Sequence, residues 1–376
     1  MTEKNNKIIK YLKDEIVLTV ALILAIISMF LVSPDKEYIS YIHWDTICML
    51  LSLMVVMAGF KKEGVFNYLG AKLLGKTKSR HTIELVLVMA TFFSSMLITN
   101  DVALITFVPF SLITLRMGHM EDRIIPVVAL QSIAANLGAM LTPIGNPHNI
   151  YFYFLSEDYT TLNFMRVTAP FVLLGGVMLI VFVFLQKNKE LEKGDELTAP
   201  FTGDRKAVKT YVLLFILALT SLFKTMVPLI ALVVVVSAFG RDKEIFKHVD
   251  YSLLFTFIGF FIFIGNMQRV ESFANFVSNL VEDNAMLVTV GLSQIISNLP
   301  TAILLSGFTD NFNLLIVGTD IGGLGTLIAS MANLISYKWI IKEAPDLKKS
   351  YVPTFTIYCI IFLVFELALC YFTGLW

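Results

Sequence analysis

The sequence predicts an all-α integral membrane protein built from two inverted repeats, each holding a re-entrant helical hairpin and a broken transmembrane helix. Three observations carry this prediction. Of the 376 residues, 56% are hydrophobic and only 15% charged, far more apolar than a soluble domain of this length needs to be. Polar, helix-breaking words interrupt the apolar segments and recur in the same order in both halves. Lysine and arginine crowd some connecting loops and are sparse in others, and basic loops stay on the cytoplasmic side, so the spans can be oriented.

A spanning helix needs roughly 20 apolar residues. The run from Ile16 has no small-residue cleavage site before Ser33-Pro34, so 16–33 reads as a retained first span. Further spans are expected at 41–60, 124–142, 166–185, 250–266, 318–341 and 350–374. Lys224 and Pro228 interrupt the stretch 210–239, which reads as two short helices, 210–223 and 226–239. The apolar pairs 82–98 with 102–116, and 285–296 with 301–317, meet at polar turns and read as hairpins.

The N-terminal repeat is then 1–185, with its hairpin at about 82–116 and its broken helix at about 124–155. A charged linker, 186–209, contains Gly194, Pro200 and Gly203 and is expected in the cytoplasm. The C-terminal repeat is 210–376, with its hairpin at about 285–317 and its broken helix at about 318–341. Lysines at 4, 7, 10 and 13, and the basic segments 61–80, 186–209 and 338–349, place the amino terminus inside and the carboxyl terminus outside. Span 41–60 then runs inward and 250–266 outward, so the halves are inverted.

Net charge is zero, which removes any argument for a nucleic-acid partner. Cys48, Cys359 and Cys370 lack metal-ligand spacing and read as packing residues. There is no phosphate-binding loop ending in Lys-Ser/Thr, no HExxH and no Gly-x-Ser-x-Gly, so the chain reads as a non-enzyme without a cofactor.

The first pair of words is Thr99-Asn100-Asp101 against Ser297-Asn298-Leu299-Pro300-Thr301. Amide and hydroxyl oxygens at a turn can hold a hard cation, and their N–H and O–H groups can donate to an anion. The plainer alternative is an extramembrane turn between two full spans, where the same residue types are usual. The second pair is sharper. Gly138-x-x-x-Thr142 matches Gly322-x-x-x-Thr326, and Asn149 matches Asn333. Pro143, Gly145 and Pro147 favour a true interruption in the first copy. The second copy has no proline, so its break is expected to be milder, and its glycines could equally serve close helix packing. Asp101, His148, Asp320 and Glu366 are the main ionisable residues in apolar segments. Asp101 or Asp320 could carry a coupling proton or pair with a cation. His148 could do the same or simply bond a carbonyl, and Glu366 lies away from the words.

Gly322-Gly323-x-Gly325-Thr326-Leu327-Ile328 with Ala332-Asn333, Ser297-Asn298-Leu299-Pro300-Thr301, and Thr99-Asn100-Asp101-Val102-Ala103 together resemble the ion transporter superfamily. The likeness is strongest to its arsenite-permease and citrate-transporter-like branch, related to the divalent anion:sodium symporters, and runs from about Trp44 to Lys342. It implies inverted repeats meeting at a central site, a homodimer and an elevator motion. Carried onto matching positions, it implies Thr99, Asn100, Ser297 and Asn298 at the tips, with Gly145, Asn149, Thr326 and Asn333 in the breaks. The full candidate set for substrate or ion adds Asp101, Thr142, Asn146, Thr301, Asp320 and Ser330. Sodium is expected at Thr99, Asn100, Gly145, Ser297, Asn298 and Ala329.

Two departures matter. Where dicarboxylate symporters have Thr after Ser-Asn, this chain has Asp101 and Leu299. A carboxylate there repels an anion unless a cation or proton neutralises it. The expectation is a secondary active transporter of a small anion or oxyanion, coupled to sodium or protons, in the lipid of a cytoplasmic membrane. A sodium/proton antiporter and an arsenite-type efflux permease are the alternatives.

Overall fold

The computed structural model describes residues 15–65, 68, 79–155, 159–186 and 202–375. The amino-terminal lysines, most of the basic segment 61–80 and most of the linker 186–209 lie outside these residues. The first half contains α1 (Ile16–Leu31), α2 (Trp44–Lys62), α3 (Arg80–Ser95), α4 (Asn100–Met117), α5 (Ile124–Ala139), α6 (Pro147–Leu155) and α7 (Thr161–Leu185). The second contains α8 (Arg205–Leu219), α9 (Val227–Arg241), α10 (Tyr251–Gln268), α11 (Glu271–Ile296), α12 (Asn298–Ser306), α13 (Phe312–Gly322), α14 (Met331–Glu343) and α15 (Lys348–Thr373). Six of the helical segments are long and apolar enough to cross a membrane.

The outer helices carry large apolar side chains on their free faces, among them Phe30, Leu173, Leu213, Val236 and Phe372. In water such a surface would be unstable, whereas lipid tails solvate it at no cost. The central helices are the reverse: α5 is buried nearly all round, from Val127 to Ala139. It is the axis on which α3, α4, α7 and α15 pack.

Local chemistry sets the breaks. Lys224 and Met226 both adopt left-handed backbone, at φ 55° and 51°, and Pro228 opens α9, which separates α8 from α9 as expected. Pro143 and Pro147 end α5 and start α6 in the same way. The second break, between Gly322 and Met331, is as complete as the first despite having no proline. The expectation of a milder interruption is corrected, and the cause is Gln294. Its Nε2 donates to the carbonyls of Gly322 (2.8 Å) and Leu324 (2.9 Å), while its Oε1 accepts the Thr326 N–H (2.9 Å). A side chain from α11 thus satisfies the groups that the broken helix leaves open.

The second hairpin also differs from its expected bounds. Its returning arm, α12, ends at Ser306, and residues 312–317 belong to the next helix instead. Asn311 caps that helix by accepting the Leu314 N–H at 3.3 Å, and so begins α13 earlier than hydropathy suggested. The returning arm is 18 residues in α4 and only 9 in α12.

Helix packing is reciprocal. α3 packs on α5 as α11 packs on α13. α4 of the first half lies against α14 of the second, and α12 of the second lies against α6 of the first. Close approach is needed at Gly138 and Gly322: a Cβ at Gly138 would run into the Phe92 carbonyl, and one at Gly322 would lie 2.7 Å from Ser293 Oγ.

Candidate functional site

The turning points are pinned to the breaks by bonds that recur position for position. The first N–H of α4, from Asn100, donates to the Gly145 carbonyl at 3.0 Å, and the first N–H of α12, from Asn298, donates to the Ala329 carbonyl at 2.9 Å. Thr142 Oγ1 donates to the Met96 carbonyl (2.6 Å) and Thr326 Oγ1 to the Gln294 carbonyl (3.1 Å). Asn149 Nδ2 reaches back to the Ala139 carbonyl (3.4 Å), and Asn333 Nδ2 to the Gly323 carbonyl (2.8 Å). Each pair joins residues that correspond in the two sets of words. Four helix N-termini, those of α4, α6, α12 and α14, therefore begin at the same depth as the breaks, and their partial positive charge favours an anion there.

The halves are also bonded to each other. Ser330 Oγ donates to Asn136 Oδ1 at 3.0 Å, and at the corresponding positions Asn146 Nδ2 donates to Asp320 Oδ1 at 2.6 Å. Asn333 Oδ1 accepts from Asn136 Nδ2 (2.8 Å) and Ser132 Oγ (3.0 Å). His148 Nε2 adds a 3.0 Å contact to the same Asp320 oxygen. Three buried oxygens of the breaks, Asn146 Oδ1, Asn149 Oδ1 and Asp320 Oδ2, have no hydrogen-bond partner among the described residues. Buried polar atoms without partners are rare and point to a ligand, an ion or water.

Between the turning points lies a cavity of about 20 Å³ walled by Asn100, Asp101, Asn146, His148, Asn298 and Ser330, with Leu253, Leu299 and other apolar side chains. It has room for one or two water-sized species. The side-chain amide of Asn298 makes no hydrogen bond among the described residues although Asn298 is only 5% exposed. The residue before it, Ser297, is held at φ 75° and ψ 155°, a region that L-residues rarely enter, whereas Thr99 at the matching place is ordinary at φ −62°. Such strain tends to collect where a ligand is gripped.

Asp101 faces two ways. It walls the small cavity and also a larger one of about 110 Å³ that runs along α2 past Met54 and Met57 to Lys61, His248 and Asp250. At the other end of α2, His43, Tyr151 and Phe261 form an aromatic cluster with centroids 5.1 to 5.3 Å apart, and Tyr151 hydroxyl bonds Ser306 Oγ at 2.7 Å.

Of the expected site residues, the structure gathers Asn100, Asp101, Asn146, Asn298 and Ser330 on one cavity, with Asp320 bonded to its wall. Thr99 lines the larger cavity. Thr142, Thr326, Asn149 and Asn333 do not line the small cavity; their donors hold backbone carbonyls of the breaks. Thr301 Oγ1 is likewise bonded to the Ser297 carbonyl. At the positions expected for sodium, the Gly145 and Ala329 carbonyls already accept the Asn100 and Asn298 N–H groups, and the Ala329 carbonyl also accepts the Ser297 hydroxyl at 3.4 Å. Leu253 and Asp250 of the α10 region were not signalled by any repeated word, and Gln294 was not either, because its counterpart is Met96. Glu366 is fully buried on α15, 3.2 Å from where a Cβ on Gly175 would be, with neither oxygen hydrogen-bonded, and it does not line the small cavity.

Comparison with known proteins shows the family of the chain. The family model described as Citrate transporter matches residues 8–311, which takes in both turning points and the first break. An uncharacterized transporter of Methanocaldococcus jannaschii is 33% identical over 305 residues, 80% of this chain and 82% of that one. The inner membrane protein YbiR of Escherichia coli is 31% identical over 83% of this chain and 84% of its own. A silicon efflux transporter of Oryza sativa is 27% identical over 43% of this chain. With apolar helices long enough to span a membrane, two bonded breaks and matches along most of its length, the chain is a multi-pass membrane protein that belongs to the citrate transporter family.

Proposed function

We propose that the protein is a secondary active transporter of a small anion or oxyanion, driven by a sodium or proton gradient. The observation that carries this reading is the unpartnered Asn298 amide facing Asn100 and Asp101 across a cavity at the start of two helices. Amide donors and helix N-termini suit an anion, and the oxygens of Asp101, Asn100 and Asn298 suit a coupling cation. Thr99, Ser297 and the carbonyls of Gly145 and Ala329 complete the candidate ion site. In this reading the larger cavity opens to the cytoplasm of a cell with the chain in its cytoplasmic membrane, amino terminus inside and carboxyl terminus outside. The halves are inverted repeats, and a homodimer moves the site across by an elevator motion.

The small cavity and the Asp101 carboxylate in its wall favour a compact oxyanion, or its uncharged acid, over a tricarboxylate. Efflux of a weak oxyacid, in keeping with the name of the silicon efflux relative, is therefore the second reading. Uptake by proteoliposomes of citrate, arsenite and silicate, under an imposed sodium or pH gradient, tests both. Gradient-driven movement of one probe is expected, falling at least about tenfold in Asn100→Ala and Asn298→Ala, the loss of roughly one hydrogen bond to a charged group. Sodium-driven proton movement with no anion would replace this reading by an antiporter. Unchanged transport in both variants would overturn the site.

A further inference from the structure

We propose that His148 and Asp320 together form a proton-binding site that joins the two halves at the wall of the central cavity, its charge state setting the affinity for the transported anion. The inference rests on the transport reading above and adds to it which residues hold the coupling proton.

Matched positions are unequal. One contact between the halves is Ser330 to Asn136, a hydroxyl on an amide, which has no charge to lose or gain. In the other it is Asn146 to Asp320, an amide on a carboxylate, and His148 approaches the same oxygen at 3.0 Å. The counterpart of His148 is Ala332, so the imidazole has no equivalent in the second half. Evolution of a structural strap alone needs only the neutral version, which the molecule already contains.

Burial makes the pair consequential. His148 is 2% and Asp320 1% exposed, and Asp320 Oδ2 has no hydrogen-bond partner among the described residues. A carboxylate in such a place requires a compensating positive charge or a proton of its own. With neutral His148, Nε2–H donates to the carboxylate and the pair carries one negative charge. One proton taken from water onto Nδ1 gives imidazolium beside carboxylate, with no net charge. His148 lines the cavity, so an anion there meets a net negative wall in the first state and a neutral one in the second.

The other ionisable side chain in the cavity wall is Asp101 on α4. Beyond it, Asp250, His248 and Lys61 line the larger cavity, and Glu366 of α15 lies beside Gly175 and away from the cavity. Asp101 adds negative charge on the same side, which makes neutralising the pair more valuable to an anion. By linkage, whatever factor the proton gives to anion affinity the anion returns to proton affinity.

The test is direct. The full chain, labelled with ¹⁵N-histidine and held in lipid nanodiscs, is followed by NMR from pH 5 to 9, with His148→Gln assigning the His148 signals. The His148 signals are expected to change with pH in the wild type and to respond differently in Asp320→Asn, which removes the carboxylate that Nε2 faces at 3.0 Å. Asn146→Ala, which leaves the carboxylate bonded to His148 alone, should change that response as well and serves if Asp320→Asn does not fold. A His148 signal fixed in one protonation state throughout, or a midpoint indifferent to both changes, overturns the proposal. Failure of the wild type to move any probe anion would instead sink the transport reading, and this titration would still be read.

Discussion

Asn136 Nδ2 donates to Asn333 Oδ1 over 2.8 Å, tying the first half of one broken helix to the second half of the other. The same Asn136 accepts from Ser330 Oγ, so one side chain serves two groups of the opposite half. Asn136→Ala strands a buried hydroxyl and weakens the hold on Asn333. The expected cost is about 2–3 kcal/mol, the range for buried polar groups that lose their partner, read as a lower unfolding temperature in detergent. A neutral effect would mean that the halves are joined by apolar packing alone.

The two close-approach glycines should respond unequally. A Cβ at Gly138 meets a backbone carbonyl, that of Phe92, which sits in α3 and cannot rotate away. At Gly322 it meets the Ser293 side chain. Gly138→Ala is expected to cost about 2–3 kcal/mol, as overpacking does, and Gly322→Ala less, with part regained in the Gly322→Ala, Ser293→Ala double variant. Equal losses measured by thermal unfolding would count against this geometry.

Strain at the second turning point predicts a trade of stability against activity. Ser297→Gly removes the penalty of its positive φ and should raise stability by about 1 kcal/mol, while transport falls because a hydroxyl is lost beside Asn298. Thr99→Gly at the matching place relieves nothing and should only destabilise, by about 0.5–1 kcal/mol. Thermal unfolding of the two variants side by side distinguishes them.

One acid-sensitive contact lies outside the spans. Arg269, just past α10, bonds Asp35 at 2.7 Å and Tyr41 hydroxyl at 2.9 Å, clamping the loop between α1 and α2. The guanidinium holds the Asp35 carboxyl below its ordinary value of 3.8. A depressed value in the folded state means that the stabilisation is present at neutral pH and disappears as pH falls through the folded value. Asp35→Asn should therefore lower the unfolding temperature slightly at pH 7, and the difference from wild type should shrink toward pH 3. Both groups are part-exposed, so added salt should reduce the effect as well.

The class of this protein and several of its helix breaks were legible in the amino-acid sequence, whereas the end of α12 at Ser306 was not. Apolar length, Pro143, Pro147, Lys224 and Pro228 act through local backbone physics, and local physics is legible in one dimension. Recurrence of the words also identified which residues correspond, because each turn and break needs the same small set of donors and backbone conformations. Which side chains face the centre depends instead on long-range packing. Thr142, Thr326, Asn149 and Asn333 share the words with Asn100 and Asn298, yet their donors hold backbone carbonyls, since a broken helix must first satisfy its own open carbonyls. Gln294 repairs a break that has no proline, from a helix far away in the sequence. Asp320 and His148 are 172 positions apart, and no spacing rule pairs them; reciprocal packing of the halves brought them within 3.0 Å.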